Sequence, residues 1–204
     1  MGRVLDEVEL ARIVAQRQAA GERAVFTNGV FDLLHVGHVR YLQRARALGD
    51  FLIIGVNSDA STRRLKGPTR PINPDAERSE LLAALACVDY VTIFGDPTAS
   101  RLVESLRPAV YVKGGDYGSN DPGSRSCDVV LQPEELRRVL AGDASAYPAL
   151  VGLDQRLPEA RVVAGYGGSV ALLSYLPEHS TTALIQRSQD SVSQTERRGR
   201  KEHA

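Results

Sequence analysis

Two histidines, His35 and His38, stand three residues apart in FTNGVFDLLHVGH, residues 26–38, behind an apolar run broken by Gly29. Side chains three apart on a helix share a face, so both imidazoles would occupy the first turn of a helix starting here. Such a terminus presents unpaired N–H groups and positive dipole, which suits anions and phosphate above all. An imidazole can donate hydrogen bonds to phosphate oxygens and stabilise charge as it builds up. Gly29 permits close backbone approach, and Gly37 between the imidazoles leaves room for a ligand.

Two other chemistries compete for the pair. Zinc needs three or four ligands, yet the remaining histidines are His179 and His203, and no Cys or carboxylate stands at ligand spacing nearby. Two structural histidines in a core would need polar partners that the flanking Leu and Val cannot supply. Phosphate handling is the reading these residue types favour, but a bare HxGH is a weak signal and depends on its setting.

The elements around the motif supply that setting. Residues 4–20 carry apolar side chains at helical spacing and stop at Gly21. RAVFTN reads as a short strand ending at Asn28-Gly29, followed by the helical VRYLQRARALG. FLIIGVNS is a continuous apolar run of the kind buried on both sides of a parallel sheet. PDAERSELLAALAC reads as a helix opened by Pro74 and Asp75, and DYVTIF and AVYVKGG as strands flanking the helical ASRLVESLR. This alternation predicts an α/β fold: a Rossmann-like, doubly wound parallel sheet with helices on both faces. Ligands bind such sheets beyond the carboxyl ends of the strands, where strand order reverses, and residues 27–38 fall at such a crevice.

Length and charge set the frame. The 204 residues, at zero formal net charge, predict one domain over 1–188, and the charge balance offers no electrostatic reason to expect nucleic acid or a membrane as partner. Residues 118–158 break the rhythm and read as an insertion containing a helix in PEELRRVLAG; 189–204 read as a disordered polar tail. Cys87 and Cys127 make no disulfide framework, and Cys87 in LLAALACVDY reads as a small core residue. The charged first residues carry no signal-peptide core and no run reaches transmembrane length, so a cytoplasmic protein is expected.

FTNGVFDLLHVGHVRYLQRARALGDFLIIGVNSDASTRRLKGPTRPINPDAERSELLAALACVDYVTIF closely resembles the HxGH nucleotidyltransferase superfamily. Within it, the chain is similar to the adenylyltransferase domain of the bacterial enzymes that make ADP-heptose. VYVKGGDY and GYGGSVALLSYLPEHSTTALIQR continue the match in order. The resemblance implies that Thr27, Asn28, Gly29, Phe31 and Gly37 line the nucleotide crevice, and that His35 and His38 contact the triphosphate and act in catalysis. It implies that Asn57 sits at the same sheet edge, and that Lys66, on a Gly/Pro-flanked loop, closes over phosphate as a mobile cation. Arg78 would add a bidentate clamp, although it could instead pair with Glu77 or Glu80 on its own helix. Lys113 and Gly114 would end a later strand at the site, with Asp116 as a hydrogen-bonding or Mg²⁺-associated carboxylate. Ser180, Thr181 and Thr182 would cap the last helix and face the phosphates. Asp32 either binds a sugar hydroxyl or caps a helix, and its residue type does not separate the two.

The implied activity joins the AMP moiety of ATP to a sugar 1-phosphate, with heptose 1-phosphate as acceptor, Mg²⁺ on the phosphates and a homodimer as the assembly. Enzymes of this kind often carry a sugar kinase on the same chain; no kinase precedes residue 1, so a stand-alone transferase is expected. The alternatives are a cytidylyltransferase using CTP and glycerol 3-phosphate or a related alcohol phosphate, and a non-catalytic nucleotide-binding module.

Overall fold

The computed structural model of the chain describes residues 1–114 and 128–174. Asp116, Cys127, His179, Ser180, Thr181, Thr182, His203 and the tail expected at 189–204 lie outside the described residues.

Seven strands form one sheet: β1 (Arg3–Val4), β2 (Ala24–Gly29), β3 (Phe51–Asn57), β4 (Tyr90–Phe94), β5 (Val110–Gly114), β6 (Val129–Leu131) and β7 (Ser169–Leu173), in the order β1-β4-β3-β2-β5-β7-β6. Every pair is parallel except β6 with β7. From β2 the chain steps outward through β3 and β4, then crosses back to lay β5 on the other side of β2. Strand order therefore reverses between β2 and β5, and a crevice opens at their carboxyl ends, as the alternation of elements predicts.

Helices cover both faces, so the central strands are apolar up to their carboxyl ends, where Thr27, Asn28 and Asn57 stand; all seven residues of β3 are buried. On one face α1 (Glu7–Ala19) and α5 (Ser100–Leu106) pack on Phe26, Phe51 and Tyr111. On the other, α2 (Val36–Arg46) and α4 (Asp75–Ala83) pack on Val25, Leu52, Ile54 and Val112. Cys87 lies against this second cluster, as a small core residue should.

One segment differs from expectation, and a second holds the helix expected in PEELRRVLAG. Polar SDASTRRLKG contains α3 (Asp59–Lys66), with the Ser58 side chain accepting a hydrogen bond from Ser61 N at 3.2 Å as N-cap and Gly67 at φ 94° ending it. Lys66 is thus the last residue of a helix rather than part of a loop. From residue 128 onward, the stretch expected as an insertion is part of the fold's wall. It supplies β6, α6 (Pro133–Leu140) and α7 (Leu153–Arg156), and Leu131, Leu136, Leu150, Leu153 and Leu157 join the first core cluster. After it, α8 (Glu159–Tyr166) leads into β7 with Ala160 and Val163 in that same core. Among the described residues no helix is long and apolar enough to cross a membrane.

Candidate active site

The crevice between β2 and β5 holds a cleft of about 120 Å³ lined by Asn28, Gly29, Val30, Phe31, His38, Tyr41, Lys113 and Gly114. Five of these are residues that the motif or the resemblance singles out for the nucleotide: Asn28, Gly29, Phe31, Lys113 and Gly114. A sixth, His38, carries the imidazole expected to act. Strand register explains the grouping. The β2–β5 pairing ends at Thr27 with Val112, after which Asn28 and Gly29 stay paired with β3, and Lys113 and Gly114 with β7. The two strands therefore part and open the cleft between them.

His35 occupies the N-cap position of α2, and His38 sits one turn on. Their rings stack at 3.8 Å between centroids, 24° from parallel. His38 is 9% exposed, and burial, helped by the neighbouring His35, pushes its pKa down to about 4. It is a neutral ring at pH 7, able to donate a single N–H and to gain charge only when an anion arrives. Gly37 between the two is buried in the first turn of α2.

Phe31 fixes the entry to this turn. Its φ of 49° is left-handed, a conformation costing a bulky residue about 1–2 kcal/mol. Its ring packs within 3.1 Å of where a Gly29 Cβ would sit, and meets the His38 ring edge-on at 5.4 Å. A side chain at 29 would displace that ring, so Gly29 serves Phe31 as well as any ligand. The residues on either side hold Phe31 in place. Before it, Val30 O accepts from Arg78 Nη1; after it, Asp32 accepts from Arg70 Nη1, from Ile72 N at 2.7 Å and from Asn73 N at 3.2 Å.

These contacts change the roles expected of two residues. Asp32, 7% exposed, neither caps α2 nor lines the cleft; it ties the β2–α2 loop to residues 70–73. Arg78 is fully buried and does not pair with Glu77 or Glu80. Its guanidinium donates to Val30 O, to Asn73 O at 2.9 Å, to Asn57 O at 2.9 Å and to Asp59 Oδ1 at 2.8 Å. With its donors spent on the scaffold, Arg78 braces the cleft in place of clamping phosphate. Asp59 and Asp75 complete the brace reciprocally: Asp59 N donates to Asp75 Oδ2 at 2.9 Å and Asp75 N to Asp59 Oδ1 at 2.8 Å, joining the starts of α3 and α4.

Asn57, buried at the end of β3, donates to Ser61 Oγ at 3.1 Å and so positions α3. Thr27 is also buried; its hydroxyl lies 2.7 Å from that of Tyr41, which in turn donates to Val112 O. Thr27 therefore sets Tyr41, one of the cleft's walls, from below. Lys66 is exposed at the end of α3 and does not line the cleft.

The wall formed by β5 differs in kind. Lys113 Nζ donates to Asn28 O at 3.2 Å, and burial pushes its pKa down to about 8, opposed by Glu159. Tyr111 donates to Asn28 Oδ1 at 2.7 Å and stacks on Phe26, which fixes the Asn28 amide at the rim. Tyr41 and Tyr111 were not singled out by the motif. Tyr41 could have been, since it falls three residues beyond His38 on the buried face of α2. Among the described residues no carboxylate lines the cleft, and no three His, Cys, Asp or Glu side chains converge as a metal site.

Comparison with known proteins follows this geometry. A family profile described as cytidylyltransferase-like matches residues 26–187. The bifunctional protein HldE of Geobacter metallireducens is 47% identical over 176 residues, covering 86% of this chain and 29% of that protein. HldE of Alkalilimnicola ehrlichii is 44% identical over 188 residues, covering 92% of this chain and 32% of that one. A solved structure, that of the lipopolysaccharide core biosynthesis protein from Thermoplasma volcanium, is 33% identical, with a TM-score of 0.43 over 50% of this chain and 80% of the other. The chain spans less than a third of the length of these HldE relatives.

Proposed function

The chain belongs to the cytidylyltransferase-like family and is a nucleotidyltransferase, and on that premise we propose that it joins the AMP moiety of ATP to a sugar 1-phosphate, with heptose 1-phosphate as acceptor. One observation carries this reading. The His38 imidazole, stacked on His35 at a helix N-terminus, and the half-buried Lys113 ammonium share one cleft at the point where strand order reverses.

In the proposed reaction an oxygen of the sugar phosphate attacks the α-phosphorus of ATP. The bond from that phosphorus to the oxygen of the β-phosphate breaks, and pyrophosphate departs. A phosphate monoester is already an anionic nucleophile at neutral pH, so the protein need not remove a proton. Its tasks are alignment and neutralisation of developing charge. His38, with His35 stacked on it, offers hydrogen bonds that strengthen as charge builds, and Lys113 offers a fixed cation. Mg²⁺, brought with the triphosphate, would supply further neutralising charge there. The described cleft presents no carboxylate for that ion, and Asp116 is the candidate outside it. A homodimer and a cytoplasmic setting belong to the same proposal.

The test is pyrophosphate release with ATP or CTP against a panel of acceptors. Heptose 1-phosphate with ATP should turn over fastest. A preference for CTP with glycerol 3-phosphate would replace this reading with that of a cytidylyltransferase. Tight ATP binding without turnover on any acceptor would leave a nucleotide-binding module.

A further inference from the structure

Lys113 is a half-buried cation whose support comes from an unexpected part of the chain. Along β5, Val110 and Val112 face the α2 side, and Tyr111 and Lys113 face the side covered by α5 and α8. Helices between parallel strands run antiparallel to them, so both α5 and α8 begin at the carboxyl end of the sheet, where Lys113 emerges. The first residue of α8 is Glu159. Its side chain is 4% exposed, and one carboxylate oxygen accepts from Ala99 N, at the start of α5, at 2.8 Å. No Lys, Arg or His among the described residues pairs with it.

A half-buried cation and a buried carboxylate therefore lie on one face and toward one edge, with no ion pair between them. A buried ammonium far from any anion gives up its proton. One in a direct ion pair keeps the proton but spends its donors on the partner. Lys113 does neither: it makes one hydrogen bond, to Asn28 O, while Glu159 acts on it from a distance. The other groups around it among the described residues do not supply the missing anion. The Tyr111 ring lies 5.7 Å from the ammonium with its hydroxyl engaged by Asn28, and His38 across the cleft is neutral. Arg101 of α5 turns outward to Glu7 and Asp96, and Arg161 of α8 to Asp154.

We propose that Glu159 is a positioning residue that holds the Lys113 ammonium charged inside the cleft while leaving its remaining N–H donors for an anionic ligand. The proposal rests on the reading of the cleft as a nucleotide site, but its test does not need turnover. The sequence contains three lysines, Lys66, Lys113 and Lys201, so ¹³Cε-lysine labelling of the full chain gives a spectrum in which each can be titrated. Glu159→Gln keeps an oxygen for Ala99 N and removes only the charge. In that variant, without ligand, Lys113 should titrate about one pH unit or more lower than in the wild type. Glu159→Asp, which keeps the charge, should titrate near the wild-type value. ATP affinity of Glu159→Gln should fall several-fold at pH 8 and recover at pH 6.5, a dependence that loss of a helix cap would not produce. An unchanged Lys113 titration in Glu159→Gln, with only the melting temperature lowered, overturns the proposal. If the wild type fails to turn over nucleotides yet the titration shifts, the functional reading falls and this one stands.

Discussion

The two walls of the cleft meet the same physical problem and answer it differently. Both draw a base at least partly out of water, and desolvation drives each toward its neutral form. On the α2 wall the base is His38, with a pKa pushed down to about 4, so at pH 7 it contributes hydrogen bonding without charge. On the β5 wall it is Lys113, which burial brings only to about 8, so it remains mostly charged. The difference starts from the ordinary values of the two side chains, and the protein reinforces it with unlike neighbours: a second imidazole stacked on His38, a distant carboxylate facing Lys113. One wall waits for charge, and the other holds it beforehand.

The largest expected effect breaks the scaffold under the α2 wall. Arg78→Met removes the donors to Val30 O, Asn73 O and Asn57 O and leaves Asp59 without its cation, at a cost of about 3–5 kcal/mol in urea unfolding. Lys at 78 should not rescue it, because a single ammonium cannot replace a planar fork that reaches three carbonyls. Next comes the imidazole itself. His38→Ala should lower turnover about 100- to 1,000-fold while the protein remains folded by circular dichroism, and near-normal rates would remove that ring from the reaction.

Acid sharpens the contrast between the walls. A histidine whose folded pKa lies below its unfolded value of 6.5 contributes stability that is present above pH 6.5 and is lost as pH falls toward 4. The loss should be on the order of 3 kcal/mol, and His38→Gln should flatten that part of the stability–pH curve. The smallest effect belongs to the β5 wall. Lys113→Met should weaken ATP binding by about 10- to 100-fold, the worth of a charged hydrogen bond. It should leave melting temperature unchanged or raised, because a cation drawn partly out of water costs the fold free energy.

Much of this was legible in the sequence because it is local. The strand FLIIGVN announces burial on both sides through continuous apolarity, and HVGH after a Gly-ended strand announces a helix terminus at the sheet edge. What escaped was side-chain direction. Arg78 sits in a helix beside acids, and nothing in DAERSE tells whether it faces solvent, phosphate or three carbonyls until α4 packs beneath the β2–α2 loop. Glu159 reads as an ordinary first-turn acid, since its place at the same sheet edge as Lys113 depends on how α8 runs back along β7, the neighbour of β5. The helix holding Lys66 carried its Ser58 and Gly67 signals in plain view, but its polar composition hid them.

The absence of any carboxylate among the described residues lining the cleft has a practical side. Walls made only of amides, aromatic rings, imidazole and ammonium repel no oxyanion, so sulfate, inorganic phosphate and pyrophosphate can all settle there by sign alone. Selection must then come from reach. A short anion engages one wall at a time, whereas a chain of linked phosphates can satisfy both at once, and that simultaneous grip is what a lone buffer ion cannot imitate.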